Sequence, residues 1–528
     1  MKRRTFIAGV SAAAAGLALP ARVRSQSQTT LRFIPQIDLV YLDPVFTTAS
    51  VTRNHGYLVF DTLYGMDGNF RMSPQMLEGH SVEEDGKVWN LSLRAGLLWH
   101  DGEKVLARDC VASIRRWARR DAFGGTLLQA TDELSAIDDR TIRFRLKRPF
   151  PLLPGALGKT AALMCAMMPE RFANTDPQQQ VTEMVGSGPF RFKPDERLPG
   201  ARNVYTRFEG YRPRESGAPD WTAGPKVAHY ERIEWHTMPD TSTAASALQT
   251  GERDWWEFAN HEYLPLLKQA RGVQTRVLDP TGIVTMLRLN HLQPPFNNPA
   301  IRRALFGAID QASFMQGVVG DEAALYHTPL GFFCPGTPMA SNVGLDILSS
   351  PRDLAKVRTA LRDAGYAGEK VVLMVPGDST ALKALGDVAA DMFKQVGINV
   401  DYLALDWGTL LARRNRKGPA DQGGWNAFVT SWTGMDWLNP SSHVAIRGNG
   451  EAGYAGWVSS PQLEAQREAW FSAPDLAAQQ RLCQEMQSQA FVDAPYYPLG
   501  QYIQPTAYRT SLTGILNGFP TFWNVRPA

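Results

Sequence analysis

The sequence feature that most constrains the fold is a strand–helix–strand pattern between residues 371 and 402. Residues 371–375 are continuously apolar, which is typical of a strand that is buried on both faces. Apolar residues at helical spacing follow and end at Gly397; they are Leu382, Leu385, Val388, Met392 and Phe393. Apolar and polar residues then alternate, with Ile398, Val400 and Tyr402 at every second position. This spacing predicts a βαβ unit, whose two strands pair in parallel through a right-handed crossover.

Strand patterns and helix patterns also alternate through the rest of the chain. Residues 89–93 and 141–147 alternate apolar and polar side chains, as half-buried strands do, and a helical spacing lies between them. Strands that alternate with helices predict an α/β architecture. We find no internal repeat and no low-complexity linker in the sequence.

Two helix starts are marked by a capping residue followed by proline. Asn298 precedes Pro299 in the first, and that helix is expected to continue through Ile309. Ser350 precedes Pro351 in the second. Both sequences therefore predict a helix that begins at the proline.

A loop with two tryptophans and one carboxylate follows the strand predicted over residues 427–431. The loop contains Trp432, Asp436 and Trp437. Ligands of open α/β sheets bind beyond the carboxyl ends of the strands. Two aromatic faces beside a carboxylate suit a ligand that carries an amine or another cation together with apolar area. The alternative is that both tryptophans pack in the core and Asp436 caps a turn.

Residues 1–25 are typical of a removable export signal. Lys2, Arg3 and Arg4 precede an apolar stretch of small residues over 6–19, which is too short to span a bilayer as an anchor. The adjacent arginines fit the twin-arginine class of bacterial leader. Cleavage is expected after about residue 25, with an earlier site near 18–21 as the alternative. The sequence therefore predicts a periplasmic protein; a buried N-terminal helix is the other interpretation.

The leader also accounts for the basic character of the chain. The 528 residues contain 55 Lys and Arg and 52 Asp and Glu, and five of the basic residues but no acidic residue lie in 1–25. The remainder therefore has a formal net charge of −2. No basic surface is left to favour nucleic acid as a partner. About 500 remaining residues are enough for two to four domains.

Motifs for catalysis or metal binding are absent from the sequence. His261-Glu262 lacks the second histidine of a zinc-protease helix, and the nine histidines show no zinc-ligand spacing. Pro189 removes an amide that a phosphate loop over 186–189 would use. The four cysteines are far apart, which leaves open either one disulfide or four buried thiols. We therefore expect no catalytic residue, no metal and no cofactor, and not an enzyme.

A series of short landmarks resembles one family over nearly the whole chain after the leader. Each landmark is weak, but their order and spacing together are specific. They are Leu42-Asp43-Pro44, Asp61-Thr62-Leu63-Tyr64, Asp85-Gly86, Leu93-Arg94 leading to Trp99-His100-Asp101-Gly102, Gly186-Ser187-Gly188-Pro189-Phe190, residues 211–213, residues 247–254, and Pro295-Phe296 through Arg302-Arg303-Ala304-Leu305 to Ile309-Asp310. The chain resembles the extracellular solute-binding proteins of family 5, the peptide- and nickel-binding receptors of ABC importers.

The resemblance implies an α/β, two-lobed periplasmic-binding-protein fold of type II, with three domains and a pear shape. Domain I is expected to be discontinuous, over residues 26–79, 181–285 and 501–528. Domain II is expected over 80–180 and domain III over 286–500. Ligand would be enclosed between the lobes by hinge closure.

The resemblance also implies a set of pocket residues. The loop from Trp432 to Asp436 matches the segment that often holds a peptide amine. Lys159 interrupts an apolar stretch, so its charge needs either a ligand carboxylate or a structural ion pair. The expected ligand-binding residues are Trp432, Asp436, Trp437, Phe46, Thr47, Phe123, Lys159, Trp256 and Asn290.

The function implied is that of the substrate-binding component of an ABC importer. Its partners would be a small-molecule or short-peptide ligand and the permease subunits at the membrane, and we expect a monomer. Peptides, opines, other amino compounds and metal chelates all remain open as ligands. A secreted hydrolase acting on peptides or glycans is the alternative, and a chaperone or sensor with the receptor fold is a third possibility.

Overall fold

The structure is a computed structural model that describes residues 29–348 and 351–528. The predicted leader and the predicted cap Ser350 lie outside the described residues. Within the described ranges, no helix is both long and apolar enough to cross a bilayer.

Short strands and helices alternate along the chain. The strands are β1 Thr30–Ile34, β2 Tyr64–Met66, β3 Met72–Pro74, β4 Leu77–Glu83, β5 Val88–Leu93, β6 Thr131–Ala136, β7 Thr141–Leu146, β8 Phe190–Phe192, β9 Arg202–Arg207, β10 Arg232–His236, β11 Trp255–Trp256, β12 Val273–Arg276, β13 Ile283–Leu289, β14 Tyr326–His327, β15 Lys370–Pro376, β16 Asn399–Leu405, β17 Ala427–Thr433, β18 Tyr496–Tyr502, β19 Thr506–Arg509, β20 Leu512–Thr513 and β21 Arg526–Pro527. The helices are α1 Ser50–Val59, α2 Ala107–Ala118, α3 Ala122–Ala130, α4 Leu153–Leu157, α5 Glu170–Ala173, α6 Thr241–Thr250, α7 Leu264–Gln269, α8 Pro299–Leu305, α9 Gln311–Val319, α10 Leu354–Asp363, α11 Thr380–Gln395, α12 Trp407–Arg413, α13 Pro461–Phe471 and α14 Leu476–Asp493.

Three larger sheets organise the part of the chain that the structure describes. The seven-stranded sheet has the order β12-β19-β11-β1-β10-β9-β8, so it joins the first described strand to one near the carboxyl end. The four-stranded sheet, β4-β5-β7-β6, is antiparallel throughout. The six-stranded sheet has the order β14-β18-β13-β17-β15-β16. The α/β architecture predicted from the sequence is confirmed.

The predicted βαβ unit forms the edge of the six-stranded sheet. β15 and β16 pair in parallel along their whole lengths, with Leu373 opposite Tyr402, and α11 connects them. β17 also pairs in parallel with β15, so their carboxyl ends meet at one edge of the sheet. The chain leaves β17 in a 3-10 turn, Gly434–Trp437, which therefore lies at the predicted position.

Two predicted helix limits differ from the structure. The helix that begins at Pro299 ends at Leu305, and a 3-10 turn over Phe306–Ala308 leaves Ile309 outside it. The next predicted helix begins at Leu354 and not at Pro351, because the Asp353 side chain accepts a hydrogen bond from the Lys356 amide and caps it.

The four cysteines, Cys110, Cys165, Cys334 and Cys483, are buried free thiols. Burial raises the pKa of each thiol, which keeps the sulfur protonated and unreactive. Of the two interpretations that the sequence leaves open, the structure thus has buried thiols.

Candidate ligand-binding crevice

A cavity of about 460 Å³ lies where the six-stranded sheet faces α1 and the segment that follows α4. Both the loop after β17 and the amino-terminal part of α1 contribute to its wall. We call it the charged cavity; its wall includes Thr47, Arg53, Ala162, Arg414, Trp432 and Asp436. A volume of this size is typical of small-molecule sites in proteins.

Asp436 presents a buried carboxylate to the charged cavity. One oxygen accepts a hydrogen bond from the Ala162 amide at 3.3 Å, and the other accepts from the Thr433 hydroxyl at 2.8 Å. Among the described residues, no Lys, Arg or His nitrogen lies within 4.0 Å of it. Each carboxylate oxygen can accept a further hydrogen bond, so a donor inside the cavity would complete the set.

Arg53 on α1 presents the opposite charge to the same cavity and is only 5% exposed. Its guanidinium donates to Asn54 Oδ1 at 3.3 and 3.1 Å and to the Thr160 carbonyl at 3.4 Å, and it lies 4.1 Å from the Phe519 ring centroid. A guanidinium has five N–H donors, so these bonds leave some free for another acceptor. Burial lowers the pKa of Arg53, while the nearby Asp436 charge opposes that shift.

The carboxyl groups of Glu257 and Asp279 also lie near Arg53. Burial raises the pKa of Glu257 to about 7, although it accepts hydrogen bonds from the Gln36 amide and the Asn54 side chain, both at 2.8 Å. Burial also raises the pKa of Asp279. Together with Asp436, these two groups oppose the lowering of the Arg53 pKa by burial, so they compensate part of its charge.

Trp432 forms an aromatic wall of the charged cavity. Its ring meets Tyr454 edge-on at 5.6 Å, and the Arg414 guanidinium lies 5.3 Å from the Tyr454 centroid. The indole Nε1 is buried and has no hydrogen-bond partner in the described part of the chain. A buried donor without a partner costs free energy, and the described residues supply none for Nε1.

A second cavity, the apolar chamber, has a volume of about 380 Å³. Its wall includes Met66, Phe70, Phe123, Met339, Met435 and Trp470. Thr160 and Met435 line this chamber, whereas Ala162 and Asp436 line the charged cavity, so the two cavities are neighbours. Lys159 also lines the chamber, but its ammonium group donates to Asp121 in a buried ion pair.

Five of the predicted site residues line one of these two cavities. Thr47, Trp432 and Asp436 line the charged cavity. Phe123 and Lys159 line the apolar chamber. The two segments that the sequence linked to a pocket, the loop after β17 and the apolar stretch around residue 159, therefore lie close together.

The other four predicted residues lie outside both cavities. Trp437 stacks on His443 at 4.8 Å in the core, so the core alternative applies to this tryptophan. Asn290 is bonded to the Trp425 carbonyl and the Leu292 amide, which occupies its amide group. Trp256 is buried in β11, and the Phe46 ring packs on Tyr41 at 5.5 Å.

The sequence prediction missed both arginines of the charged cavity, Arg53 and Arg414. For Arg53, the available signal was a basic residue one turn before the apolar helix end Tyr57-Leu58-Val59. The sequence does not show which cavity such a residue faces.

Metal binding finds no support, because no group of three or more His, Cys, Asp or Glu side chains in the described ranges could hold an ion.

An α/β fold with a ligand-sized cavity beyond the carboxyl ends of its strands is compatible with a protein that binds a small solute. Residues 71–453 match the model of the bacterial extracellular solute-binding proteins, family 5. The chain belongs to this family, whose members are the solute-binding components of ABC transporters.

Relatives match this chain over nearly its whole length. A probable peptide ABC transporter periplasmic-binding protein of Sinorhizobium fredii is 35% identical over 100% of this chain and 99% of its own length. The glutathione-binding protein GsiB of Pectobacterium atrosepticum is 26% identical over 90% of this chain and 88% of its own. The dipeptide-binding protein of a Pseudoalteromonas species, solved with Met-Leu, has a TM-score of 0.79 at 16% identity and covers 94% of this chain and 100% of its own. The last likeness confirms the periplasmic-binding-protein fold.

Proposed function

We propose that this chain captures a small zwitterionic solute, of which a short peptide is the best candidate, and delivers it to an ABC permease. The observation that carries the proposal is that Asp436 and Arg53 both line the charged cavity but form no direct ion pair with each other. Buried charges require partners. A ligand amine at Asp436 and a ligand carboxylate at Arg53 would supply both.

The names of the relatives support a peptide-like ligand. One is named for peptides, one for glutathione, which is itself a peptide, and one was solved with Met-Leu. Each of these ligands carries an amine and a carboxylate. All three relatives are named as binding proteins, which favours capture without chemistry over the secreted-hydrolase alternative.

Hinge closure around the ligand is supported by contacts between residues 148–162 and residues 436–472. The Ala162 amide donates to Asp436, and Arg148 after β7 donates to Glu468 and Ser472 around the end of α13. Phe150 stacks on Phe471 with 6.0 Å between the ring centroids. These contacts fit a closed receptor in which ligand is shielded from water.

We also propose the three-domain division, with one large sheet in each domain. Three of the boundaries expected from sequence, at 79/80, 285/286 and 500/501, fall inside β4, β13 and β18. A strand belongs to one sheet, so we propose boundaries before Leu77, before Ile283 and after Tyr502.

Residues 1–25 are proposed to be a twin-arginine leader that directs the protein, as a monomer, to the periplasm. The basic start and the name of the Sinorhizobium relative as a periplasmic-binding protein support this. Amino-terminal sequencing of the exported protein should begin near residue 26. Replacing both Arg3 and Arg4 with lysine should leave the protein in the cytoplasm, whereas the same change at Arg22 should not.

The ligand class is tested by thermal shift and calorimetry on the exported protein with Ala-Leu, N-acetyl-Ala-Leu and Ala-Leu amide. A ligand at about 100 times its Kd adds about 2.7 kcal/mol to the free energy of unfolding. Ala-Leu should stabilise the protein, and both blocked forms should bind at least about tenfold more weakly. Asp436→Asn should lose most of the binding but remain folded, with Asp132→Asn on the surface as the control. Normal binding by Asp436→Asn would contradict the proposal.

A further inference from the structure

Glu257 carries a buried carboxyl group at the end of β11, beside the charged cavity but outside its wall. β11 pairs in parallel with β1, and the Glu257 amide donates to the Ile34 carbonyl at 3.0 Å, so Glu257 lies just beyond the carboxyl ends of both strands. Glu257 lines a smaller cavity of about 40 Å³ together with Arg53, which also lines the charged cavity. Any effect of Glu257 on a ligand in the charged cavity must therefore pass through Arg53 or another residue of that wall.

A chain of hydrogen bonds joins Glu257 to Arg53 through Asn54. Asn54 Nδ2 donates to Glu257 Oε1 at 2.8 Å, and Asn54 Oδ1 accepts from two nitrogens of the Arg53 guanidinium at 3.3 and 3.1 Å. A guanidinium only donates, so the amide oxygen of Asn54 must face Arg53 and its NH2 group must face Glu257. Asn54 can therefore hold Arg53 in this way only while Glu257 Oε1 is an acceptor.

The second carboxylate oxygen of Glu257 is also bonded to a donor. The Gln36 backbone amide donates to Oε2 at 2.8 Å, and the Gln36 side-chain NH2 group donates to Oε1 at 3.4 Å. An ionised carboxylate only accepts, whereas the neutral acid carries an O–H donor. The ionised form of Glu257 therefore suits all three of its donors, and an added proton would compete with them for the same two oxygens.

We propose that Glu257 is a positioning residue for Arg53, an inference that rests on the proposed function: through Asn54, ionised Glu257 holds the guanidinium in the orientation that receives a ligand carboxylate. Simple electrostatics predicts the opposite effect. Removing the negative charge of Glu257 would by itself favour a second anion at Arg53, whereas losing the bonds to Asn54 frees the guanidinium to turn away. The sign of the change in carboxylate selectivity therefore distinguishes positioning from charge compensation.

The charged groups around Glu257 come from three other segments. Arg53 lies on α1, Asp279 lies between β12 and β13 on the wall of the smaller cavity, and Asp436 lies after β17 near Arg53. The other described residues of the smaller cavity's wall are uncharged. Burial raises the pKa of Glu257 to about 7, so its ionised fraction falls about tenfold from pH 8 to pH 6. Positioning of Arg53 should weaken over the same range.

The test is the ratio of the affinities of Ala-Leu and Ala-Leu amide for the full exported protein, measured by calorimetry at pH 6, 7 and 8. Both peptides carry the same amine, so the ratio reports on the carboxylate. In the wild type the ratio in favour of Ala-Leu should be at least about threefold larger at pH 8 than at pH 6, because the ionised fraction of Glu257 falls over that range. This profile tests the inference without any substitution.

Glu257→Gln should lower the ratio at pH 8 by at least about threefold and remove its pH dependence, because the amide cannot accept from every donor around it. The exposed Glu262→Gln is the matched control and should keep the wild-type profile. In an Arg53→Gln background, Glu257→Gln should change the ratio no further, which a general loss of stability would not produce.

Two outcomes overturn the inference alone. One is a ratio that is unchanged or raised in Glu257→Gln, and the other is a pH dependence that persists in this variant, which would assign it to another group such as Asp279. Equal binding of the two peptides by the wild type at every pH, or binding of neither, would overturn the proposed function as well.

Discussion

Lys159 and Asp121 form a buried ion pair within the segment that carries the four-stranded sheet, so the charge of Lys159 is neutralised before any ligand arrives. Asp121 has a second role, because its other carboxylate oxygen accepts hydrogen bonds from the Phe123 and Gly124 amides at 2.9 Å and caps α3. Of the two partners that the sequence left open for Lys159, the structure has an ion pair within the protein. Only the stem of this side chain remains available to line the apolar chamber.

Lys159→Met should therefore reduce stability far more than it changes recognition of a ligand carboxylate. Removing one partner of a buried pair leaves the other charge uncompensated, at a typical cost of about 3–5 kcal/mol. Lys159→Met combined with Asp121→Asn should recover much of that loss, because asparagine remains a good cap and carries no charge. Urea denaturation of the single and double variants measures the difference. A double variant no more stable than Lys159→Met would contradict the assigned pairing.

Arg53→Gln should remove the preference for a free carboxylate. In the wild type the guanidinium would hold that group, so Ala-Leu should bind more tightly than its amide. Glutamine can still bond the Thr160 carbonyl and Asn54 but carries no charge, so the two peptides should bind within about threefold of each other. Arg414→Gln, at the other arginine that lines the charged cavity, serves as the comparison. If the discrimination is unchanged in Arg53→Gln but lost in Arg414→Gln, the carboxylate is bound at Arg414.

The βαβ unit and the loop after β17 could be predicted because their signals are local. α11 buries one face and exposes the other, and its two flanking strands are apolar, so thirty-odd consecutive residues carry the whole pattern. The position of Asp436 follows from that pattern, since the end of a parallel strand fixes where the next residues lie.

Arg53 and Trp437 depend instead on contacts between distant segments. Nine of the ten residues of α1 are buried, including the polar Thr52, Arg53, Asn54 and His55, so the polar residues do not mark a solvent-exposed face of this helix. Trp437 lies one residue from Asp436, yet it stacks on His443 and packs against Tyr496. Which of two adjacent side chains faces a cavity is decided by what packs against the turn, and the sequence around residue 437 does not contain that information.

His443 should make the free energy of unfolding depend on pH below neutrality. Burial lowers the pKa of His443 to about 3, against about 6.5 in an unfolded chain. The unfolded state therefore binds the proton first, and the stability that the neutral histidine contributes is present above about pH 6.5 and lost as pH falls towards 3. His443→Gln should reduce the slope between pH 6 and 4 by up to about 1.4 kcal/mol per pH unit. The exposed His327→Gln is the control, and an unchanged slope in His443→Gln would contradict the prediction.

Arg148 should affect the closed state of the receptor more than the folding of the chain. It bonds Glu468 and Ser472 across the crevice, and its side chain is 37% exposed. Exposed ion pairs contribute about 0–1 kcal/mol, so Arg148→Ala should leave the free energy of unfolding nearly unchanged. Loss of a contact made only on closure should instead speed ligand dissociation and weaken affinity by about threefold. Arg145→Ala is the control, because Arg145 pairs with Asp132 and Glu133 inside the four-stranded sheet. Stopped-flow dissociation of a bound peptide distinguishes the two variants: equal rates for Arg148→Ala and Arg145→Ala would mean that the contact does not hold the crevice closed.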